Sequence, residues 1–450
     1  MYREALALSG KKPKASENEI PIKGRAKRVR TLVRAGETGR ALRAAFDDSP
    51  VAVTSDVVSN ITSLFRNAAM ETDDDNAGDV QVDNLEGIDR ERLEHCILKD
   101  LQRLPRLSAP GPLAMRNEHL QLLAKSSDVG QDIGRLLADL ALGRVHIEVV
   151  RFLRGGRISP LSKPDGGVRP LTLSNVLRRA ALRTLVRQRK DEIGRAVGPL
   201  QYGVARKAGV DALHKSLKVR LASHPGSVLV CLDFKAAFQN ISRSKVRSGV
   251  MKHAPWLLET CDAWYGGPAT HVLLDQLGVR HIIQAADGVD QGCPLGALFF
   301  ALALHDVSEE VLSFAKRLDE HAGLFFYLDD GYLVCNPQVV EQVLLLLRQT
   351  FAKVGVALNE SKLQAWAASP ASLPASLQQY YKPSVKCLGR QIDIPGQDAH
   401  DGLVVSNPQA TLEKESTHLV KLTDRLLELN KNGLDLQTSD HASQLMRGSH

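Results

Sequence analysis

Two adjacent carboxylates, Asp329 and Asp330, lie between two apolar runs that favour β-structure. The dipeptide Asp330-Gly331 between such runs is typical of a tight β-hairpin turn, which would place both carboxylates at the edge of a sheet. Like charges this close repel each other unless a cation neutralises them. The segment 324–334 therefore predicts a hairpin whose turn carries a divalent-cation site.

A further carboxylate, Asp233, directly follows the apolar run 228–232, which reads as a buried strand. Hard oxygen ligands at the ends of two strands suit Mg²⁺, which leaves part of its coordination to water and substrate phosphates. Such a site indicates phosphoryl transfer. Either segment alone could equally well be an ordinary turn, because Asp is a common turn residue.

Other segments with recognisable residue patterns occur in a fixed order around these carboxylates: 108–112, 117–120, 158–170, 201–203, 291–296, 355–359 with Lys362, and 388–389. Together with the Asp233 strand and the Asp329-Asp330 hairpin, they resemble the reverse transcriptases of non-LTR retrotransposons. The resemblance covers residues 106–394. It depends on the order of the motifs, because each single motif has a substantial risk of a chance match.

The resemblance implies an α+β right-hand polymerase fold with fingers and palm, in which the palm is a split βαβ antiparallel sheet backed by helices. Strand and helix patterns that alternate from residue 201 onward agree with such a palm. A chain of 450 residues has room for two or three domains or subdomains. The expected division is a basic, partly helical extension (1–70), an acidic flexible linker (71–90), fingers (91–200), palm (201–395) and a truncated thumb or C-terminal helices (396–450).

By the same resemblance, Asp233, Asp329 and Asp330 are expected to be catalytic and to hold two Mg²⁺ ions, with Mn²⁺ as a substitute. The backbone carbonyl of Phe234 is implied as a further metal ligand. Lys362 would protonate the leaving pyrophosphate, although a single exposed lysine often has no such role.

Five residues are expected to contact the incoming nucleotide. Lys163 and Arg169 lie on either side of a Pro-Asp-Gly-Gly turn, and both cations could reach a triphosphate. Phe238 resembles the family's steric gate, which rejects a 2′-hydroxyl, and Gln291 and Gly292 resemble a segment that contacts nucleotide or template. The alternatives are ordinary surface cations for Lys163 and Arg169, and core packing for Phe238.

The charge is clustered in the segment 151–190, which contains eleven Lys or Arg residues and one acidic residue, Asp165. This excess is larger than the formal net charge of +7 of the whole chain. A basic run is often a solvated helix face, but a phosphate backbone would also relieve the repulsion. The arginines of this segment without an acidic partner inside it are Arg178, Arg179, Arg183, Arg187 and Arg189.

Cysteine spacing and hydropathy argue against a zinc module and against a secreted or membrane-spanning protein. The six cysteines show neither a Cys-x-x-Cys pair nor the Cys/His spacing of a zinc module, so reduced thiols are expected. No signal peptide or membrane-spanning apolar run is found in the sequence, which predicts an intracellular protein of the nucleus or cytoplasm without a membrane partner.

The leading hypothesis is an RNA-directed DNA polymerase that extends a primer 3′-hydroxyl with dNTPs, with an RNA template and a DNA primer as partners. The truncated thumb leaves a catalytically silent, nucleic-acid-binding remnant of a retrotransposon as the alternative. A third possibility is another phosphotransferase, or an RNA polymerase, with a similar palm.

Overall fold

The computed structural model describes residues 28–32, 34, 51–65, 88–127, 129–163 and 167–392. The helices are α1 (Ser55–Leu64), α2 (Arg90–Leu101), α3 (Asn117–Leu123), α4 (Gly130–Leu142), α5 (Ile147–Arg154), α6 (Val176–Gln188), α7 (Lys190–Ala196), α8 (Gly209–Ser223), α9 (Ala237–Asn240), α10 (Arg243–His253), α11 (Leu258–Tyr265), α12 (Gly296–Leu318), α13 (Val340–Ala352) and α14 (Ala375–Gln378). The strands are β1 (Gly156–Ser162), β2 (Val168–Ser174), β3 (Val228–Leu232), β4 (Ala269–Leu274), β5 (Arg280–Ala285), β6 (Gly323–Tyr327), β7 (Asp330–Cys335), β8 (Gln364–Trp366), β9 (Lys386–Cys387) and β10 (Arg390–Gln391).

An antiparallel sheet with the strand order β6-β7-β3-β8 carries both predicted carboxylate segments. The strand 228–232 forms as predicted, and the predicted hairpin of 324–334 is β6 paired with β7. Its turn is Leu328-Asp329 and not the predicted Asp330-Gly331, because Asp330 and Gly331 already pair within β7. In the central pair of strands, Leu232 of β3 lies opposite Gly331 of β7. The α+β class with an antiparallel sheet backed by helices is confirmed.

Helices cover both faces of this sheet. On one face, α12 and α13 pack against each other and α12 packs against β6, within the main core. On the other face, Leu213, Leu217 and Leu221 form one stripe of α8 that packs in a second cluster with residues of β3 and β7. Because β3 is buried on both faces, its sequence is a continuous apolar run rather than an alternating one.

A second sheet, with the order β2-β1-β4-β5, was not predicted beyond the turn near Lys163. Two hairpins, β1–β2 and β4–β5, meet where β1 runs parallel to β4. Helix α1 covers this sheet, where Ile61 packs with Ile158 and Leu273. Strand β5 lies at the sheet edge and is half exposed, so the mixed sequence Arg-His-Ile-Ile-Gln-Ala gives only a weak strand pattern.

The predicted helices 91–103, 244–251, 296–314 and 339–354 correspond to α2, α10, α12 and α13. Helix α12 continues to Leu318 because its apolar stripe goes on through Val311, Leu312 and Ala315. The strand predicted near Val356 is wrong, since this segment contributes only an isolated bridge between Phe234 and Leu358. Strands β9 and β10 form a short hairpin inside the predicted segment 385–394.

Three of the arginines of 151–190 pair with carboxylates that lie outside this segment. Arg178 is fully buried and pairs with Asp290, 112 residues away, at 3.2 Å. Arg187 pairs with Asp100 at 2.8 Å and Arg189 with Glu192 at 2.5 Å. Glu192 is within one helical turn of Arg189, whereas Asp290 and Asp100 come from distant segments that the local sequence does not reveal. Only part of this basic segment is therefore available to a phosphate backbone.

Several sequence predictions lie outside the described residues. They are the thumb or C-terminal helices of 396–450, the acidic linker except for residues 88–90, and the turn residues 164–166. The described part of the extension contains helical residues 28–32 and helix α1. All six cysteines are free thiols, and no helix within the described ranges is long and apolar enough to cross a membrane.

Candidate active site

Strand register brings the carboxylates of the two segments to one edge of the β6-β7-β3-β8 sheet. Leu232 lies opposite Gly331, so one further step along both strands sets Asp233 beside Asp330. Directly opposed residues of antiparallel strands have Cβ atoms about 5 Å apart. Asp329 lies in the two-residue turn between the paired Tyr327 and Asp330.

Gln201 holds the turn that carries Asp329. Its side-chain oxygen accepts hydrogen bonds from the backbone N–H groups of Leu328, at 2.8 Å, and Gly203, at 2.9 Å. Its amide nitrogen donates to the carbonyl of Leu328 at 3.3 Å. Leu328 has a positive φ of 57°, which is uncommon for a bulky residue. The Gln201 side chain therefore stabilises a strained turn next to the carboxylate.

Asn359 fixes the other side of the site. Its backbone N–H donates to the carbonyl of Asp233, and its side-chain amide donates to the Asp233 carboxylate, both at 2.8 Å. These two contacts set the backbone and the side chain of Asp233 together. Gln201 and Asn359 both occur in the motif segments recognised from the sequence, but a positioning role could not be assigned without the tertiary contacts.

The electrostatics of the three carboxylates show mutual repulsion. Partial burial, and then the charges of Asp329 and Asp233, raise the pKa of Asp330 to about 6. Burial also raises the pKa of Asp329, while Arg169 and Lys163 oppose this rise. The site therefore resists full ionisation, and bound cations would relieve the repulsion.

Lys163 and Arg169 lie near these carboxylates, since both influence the pKa of Asp329. Lys163 directly follows β1 and its N–H donates to the carbonyl of Gly167 at 2.8 Å, while Arg169 is exposed on β2 opposite Leu161. The structure thus brings together the two predicted triphosphate cations and the predicted metal ligands.

A cavity of about 510 Å³ opens beside the carboxylates. Asp233 and Asp330 line one part of it, and Lys362, Lys382 and Lys386 line another. Lys362 is exposed at the end of the 3₁₀ turn Glu360–Lys362. The cavity therefore joins carboxylates to several cations, an arrangement that suits a phosphate-bearing ligand.

The remaining predicted residues, Phe238, Gln291 and Gly292, do not line this cavity. Phe238 is buried, with its ring stacked on Phe300 at a centroid distance of 4.6 Å. Gln291 has a buried side-chain oxygen without a hydrogen-bond partner. A Cβ at Gly292 would stand 2.0 Å from the carbonyl oxygen of Thr172, so the missing side chain permits close contact with β2. A nucleotide contact at Gly292 stays a prediction.

Residues 161–392 match the protein family described as reverse transcriptase (RNA-dependent DNA polymerase). The match covers more than half of the chain, and the chain belongs to this family. The resemblance recognised from the sequence motifs is thereby confirmed, and with it the class of RNA-directed DNA polymerases.

A curated relative is the retrotransposable element SLACS 132 kDa protein of Trypanosoma brucei gambiense, which is 23% identical over 282 residues. The aligned region covers 62% of this chain but only 23% of that relative. Among solved structures, the chain is similar to telomerase from Candida albicans in complex with a TWJ fragment of telomeric RNA, with a TM-score of 0.39, 15% identity, and coverage of 58% of this chain and 48% of the other. Apo telomerase from Candida tropicalis gives a TM-score of 0.40 at 12% identity, covering 64% and 56% of the two chains.

Proposed function

We propose that this chain is a retrotransposon-derived polymerase that extends a primer 3′-hydroxyl with dNTPs on an RNA template, with two divalent ions at Asp233, Asp329 and Asp330. The observation that carries the proposal is the register that sets Asp233 beside the Asp329-Asp330 turn in a chain of the reverse transcriptase family. The match to a retrotransposable-element protein supports the retrotransposon origin.

The donor set fits Mg²⁺, or Mn²⁺ as a substitute. Carboxylate oxygens are the hard ligands these ions prefer, and the raised pKa of Asp330 reflects negative charge that a cation would neutralise. We assign the backbone carbonyl of Phe234, next to Asp233, as a further ligand. When bound, two such ions stabilise the attacking and the leaving oxygen of an in-line displacement.

Other residues of the chain bind the substrates and donate a proton. Lys163 and Arg169 bind and orient the triphosphate, and Lys362 gives a proton to the pyrophosphate as it leaves. Gln291 and Gly292 contact the nucleotide or the template. Residues 91–200 serve as fingers and residues 201–395 as palm.

Primer extension on an RNA template with dNTPs and Mg²⁺ tests the proposal. We expect template-dependent products that disappear when Mg²⁺ is removed with a chelator. Retained, salt-sensitive RNA binding without any extension would instead identify a catalytically silent binding protein. Equal use of ribonucleotides would indicate an RNA polymerase with a similar palm.

Arg169→Ala is expected to raise the KM for dNTP about tenfold to a hundredfold, since a charge-assisted hydrogen bond contributes roughly 1.5–3 kcal/mol. The kcat should change less. Steady-state kinetics with one varied dNTP measure both constants. Arg280→Ala is the matched control, because Arg280 is on β5 at the opposite edge of the same sheet. An unchanged KM in Arg169→Ala would contradict the triphosphate role.

Phe238→Ala is expected to increase incorporation of ribonucleotides relative to deoxyribonucleotides, on the order of tenfold to a hundredfold, because a hydrophobic wall excludes an added hydroxyl only by its shape. The ratio of kcat/KM for the two sugars is the measurement. Phe300→Leu removes the ring stacked on Phe238 and controls for loosened packing. Unaltered sugar selection in Phe238→Ala would leave Phe238 as a core residue only.

The rate of extension should depend on pH through Asp330. A pKa raised to about 6 means that the carboxyl group binds a proton as the pH falls below about 6, and the proton competes with the metal. At limiting Mg²⁺ we expect the rate to fall up to about tenfold per pH unit below this point. Saturating Mg²⁺ should move the fall to lower pH. A fall in rate at low pH that does not depend on the Mg²⁺ concentration would contradict the assignment of Asp330 as a metal ligand.

A further inference from the structure

A second cluster of metal-binding side chains lies away from the carboxylate site, between helices α10 and α12. In the described part of the chain, His253, His305 and Asp306 form the only group of three His, Cys, Asp or Glu donors that lie within 4.8 Å of one another. The three carboxylates of the active site do not form such a group. His253 ends α10, whereas His305 and Asp306 are in the middle of α12.

Close packing of the two helices creates the cluster. A Cβ at Gly249 would stand 2.4 Å from the carbonyl oxygen of Leu302, so only glycine lets the helices approach this closely. Gly249 is one turn before His253, and Leu302 is one turn before Asp306. The approach at Gly249 therefore brings His253 to Asp306 on the next turn.

The donor geometry suits a small cation. His253 Nε2 lies 2.8 Å and His305 Nδ1 3.5 Å from the same oxygen, Oδ1 of Asp306. Ligand atoms of a tetrahedral zinc site, with bonds of about 2.0–2.1 Å, are about 3.3 Å apart. The observed spacings lie on either side of this value. The two imidazole rings, with centroids 3.9 Å apart and an interplanar angle of 35°, have to rotate for both nitrogens to face one ion.

The surroundings leave His305 Nδ1 available to such an ion. Nδ1 is buried and has no hydrogen-bond partner, whereas Nε2 faces the backbone of Gly198, where a Cβ would be 2.7 Å away. Lys252 donates to Asp306 Oδ2 at 2.9 Å and orients the carboxylate with Oδ1 toward the histidines.

We propose that His253, His305 and Asp306 form a zinc site that pins α10 to α12. Two imidazoles and one carboxylate are a typical zinc donor set with one position left open, whereas Mg²⁺ and Ca²⁺ prefer oxygen ligands alone. A cavity of about 540 Å³, lined by both histidines, Trp256 and Arg195, gives solvent or a small anion access to the open position. Since α12 packs on β6, the ion stabilises the helical layer behind the sheet that carries Asp329.

Cobalt titration of the tag-free intact protein, in excess Mg²⁺ to occupy the carboxylate site, tests this proposal. We expect one equivalent of Co²⁺ to bind with the intense visible absorption of a four-coordinate ion, and Zn²⁺ to displace it. His305→Ala and Asp306→Asn should weaken binding at least about tenfold. His253 is the last residue of its helix, so His253→Ala is expected to fold and provides a second test of Co²⁺ binding if His305→Ala does not fold.

His321→Ala is the matched control, because His321 stacks on His224 in another histidine pair at the same centroid distance of 3.9 Å. It should bind Co²⁺ like the unaltered protein. Zn²⁺ should also raise the unfolding temperature of the unaltered protein and of His321→Ala by a few degrees, but not that of His253→Ala. Absence of four-coordinate Co²⁺ in the unaltered protein, unchanged binding by His253→Ala, or equal loss in His321→Ala would each overturn the site.

Discussion

Replacing both turn carboxylates, in the double variant Asp329→Asn with Asp330→Asn, is expected to reduce primer extension at least about a thousandfold. This corresponds to about 4 kcal/mol of transition-state stabilisation. The amides keep the size of the side chains but remove the charge that holds the ions on either side of the reacting phosphate. Single-turnover extension of a labelled primer measures the loss.

Binding of RNA should survive in the same variant. The carboxylates do not attract phosphates, so removal of their charge should leave the affinity unchanged or slightly improved at fixed salt. Glu309→Gln with Glu310→Gln, an adjacent acidic pair on α12, makes the same change in net charge and should leave extension intact. Loss of extension and binding together would indicate misfolding rather than a catalytic role. Extension retained by the Asp329 and Asp330 variant would sink the metal-site assignment.

The largest effect on stability is expected for Asp290→Asn. Asp290 lies between the buried Arg178 and His271, at 3.2 Å from each. These neighbours hold its pKa well below the usual value although burial opposes this, so the folded protein contains an ionised carboxylate. Neutralising it leaves the buried Arg178 without a charge partner. Loss of one member of such a pair destabilises proteins by about 3–5 kcal/mol.

Urea unfolding of the variant and the unaltered protein measures this loss. Asp262→Asn is the matched control, because Asp262 pairs with Arg247 at 2.8 Å while both side chains are about 40% exposed. An exposed pair contributes about 1 kcal/mol or less. If Asp290→Asn is insoluble, the yield of soluble protein relative to Asp262→Asn gives the comparison. Equal free energies of unfolding for the two variants would show that the contribution of the buried ion pair to stability has been overestimated.

The Asp290 network also connects the elements that support the site. Arg178 is on α6, His271 on β4, and Asp290 directly precedes Gln291 and Gly292. Arg178 further donates to the carbonyl of Arg154 at 2.9 Å. The Asp290→Asn substitution is therefore expected to loosen the Gln291-Gly292 segment that contacts β2, as well as the core.

The family, the carboxylates and the central strands could be predicted because they depend on short segments. The run 228–232 is apolar throughout since its strand is covered on both faces. The hairpin of 324–334 could be predicted from its two apolar runs, although its turn is Leu328-Asp329 rather than Asp330-Gly331. In such segments the chemical information lies within a few residues. The order of the motifs then identified the family without any knowledge of contacts between them.

Tertiary structure alone decided what depends on distant partners. Strand register placed Asp233 beside Asp330. The hydrogen bonds of Gln201 with Leu328 and of Asn359 with Asp233 join residues that are more than a hundred positions apart in the sequence. The pairing of β1 with β4 and the burial of Arg178 against Asp290 could not be predicted from the sequence either. Sequence spacing reveals neighbours along one strand or helical turn, whereas these contacts depend on how separate elements pack.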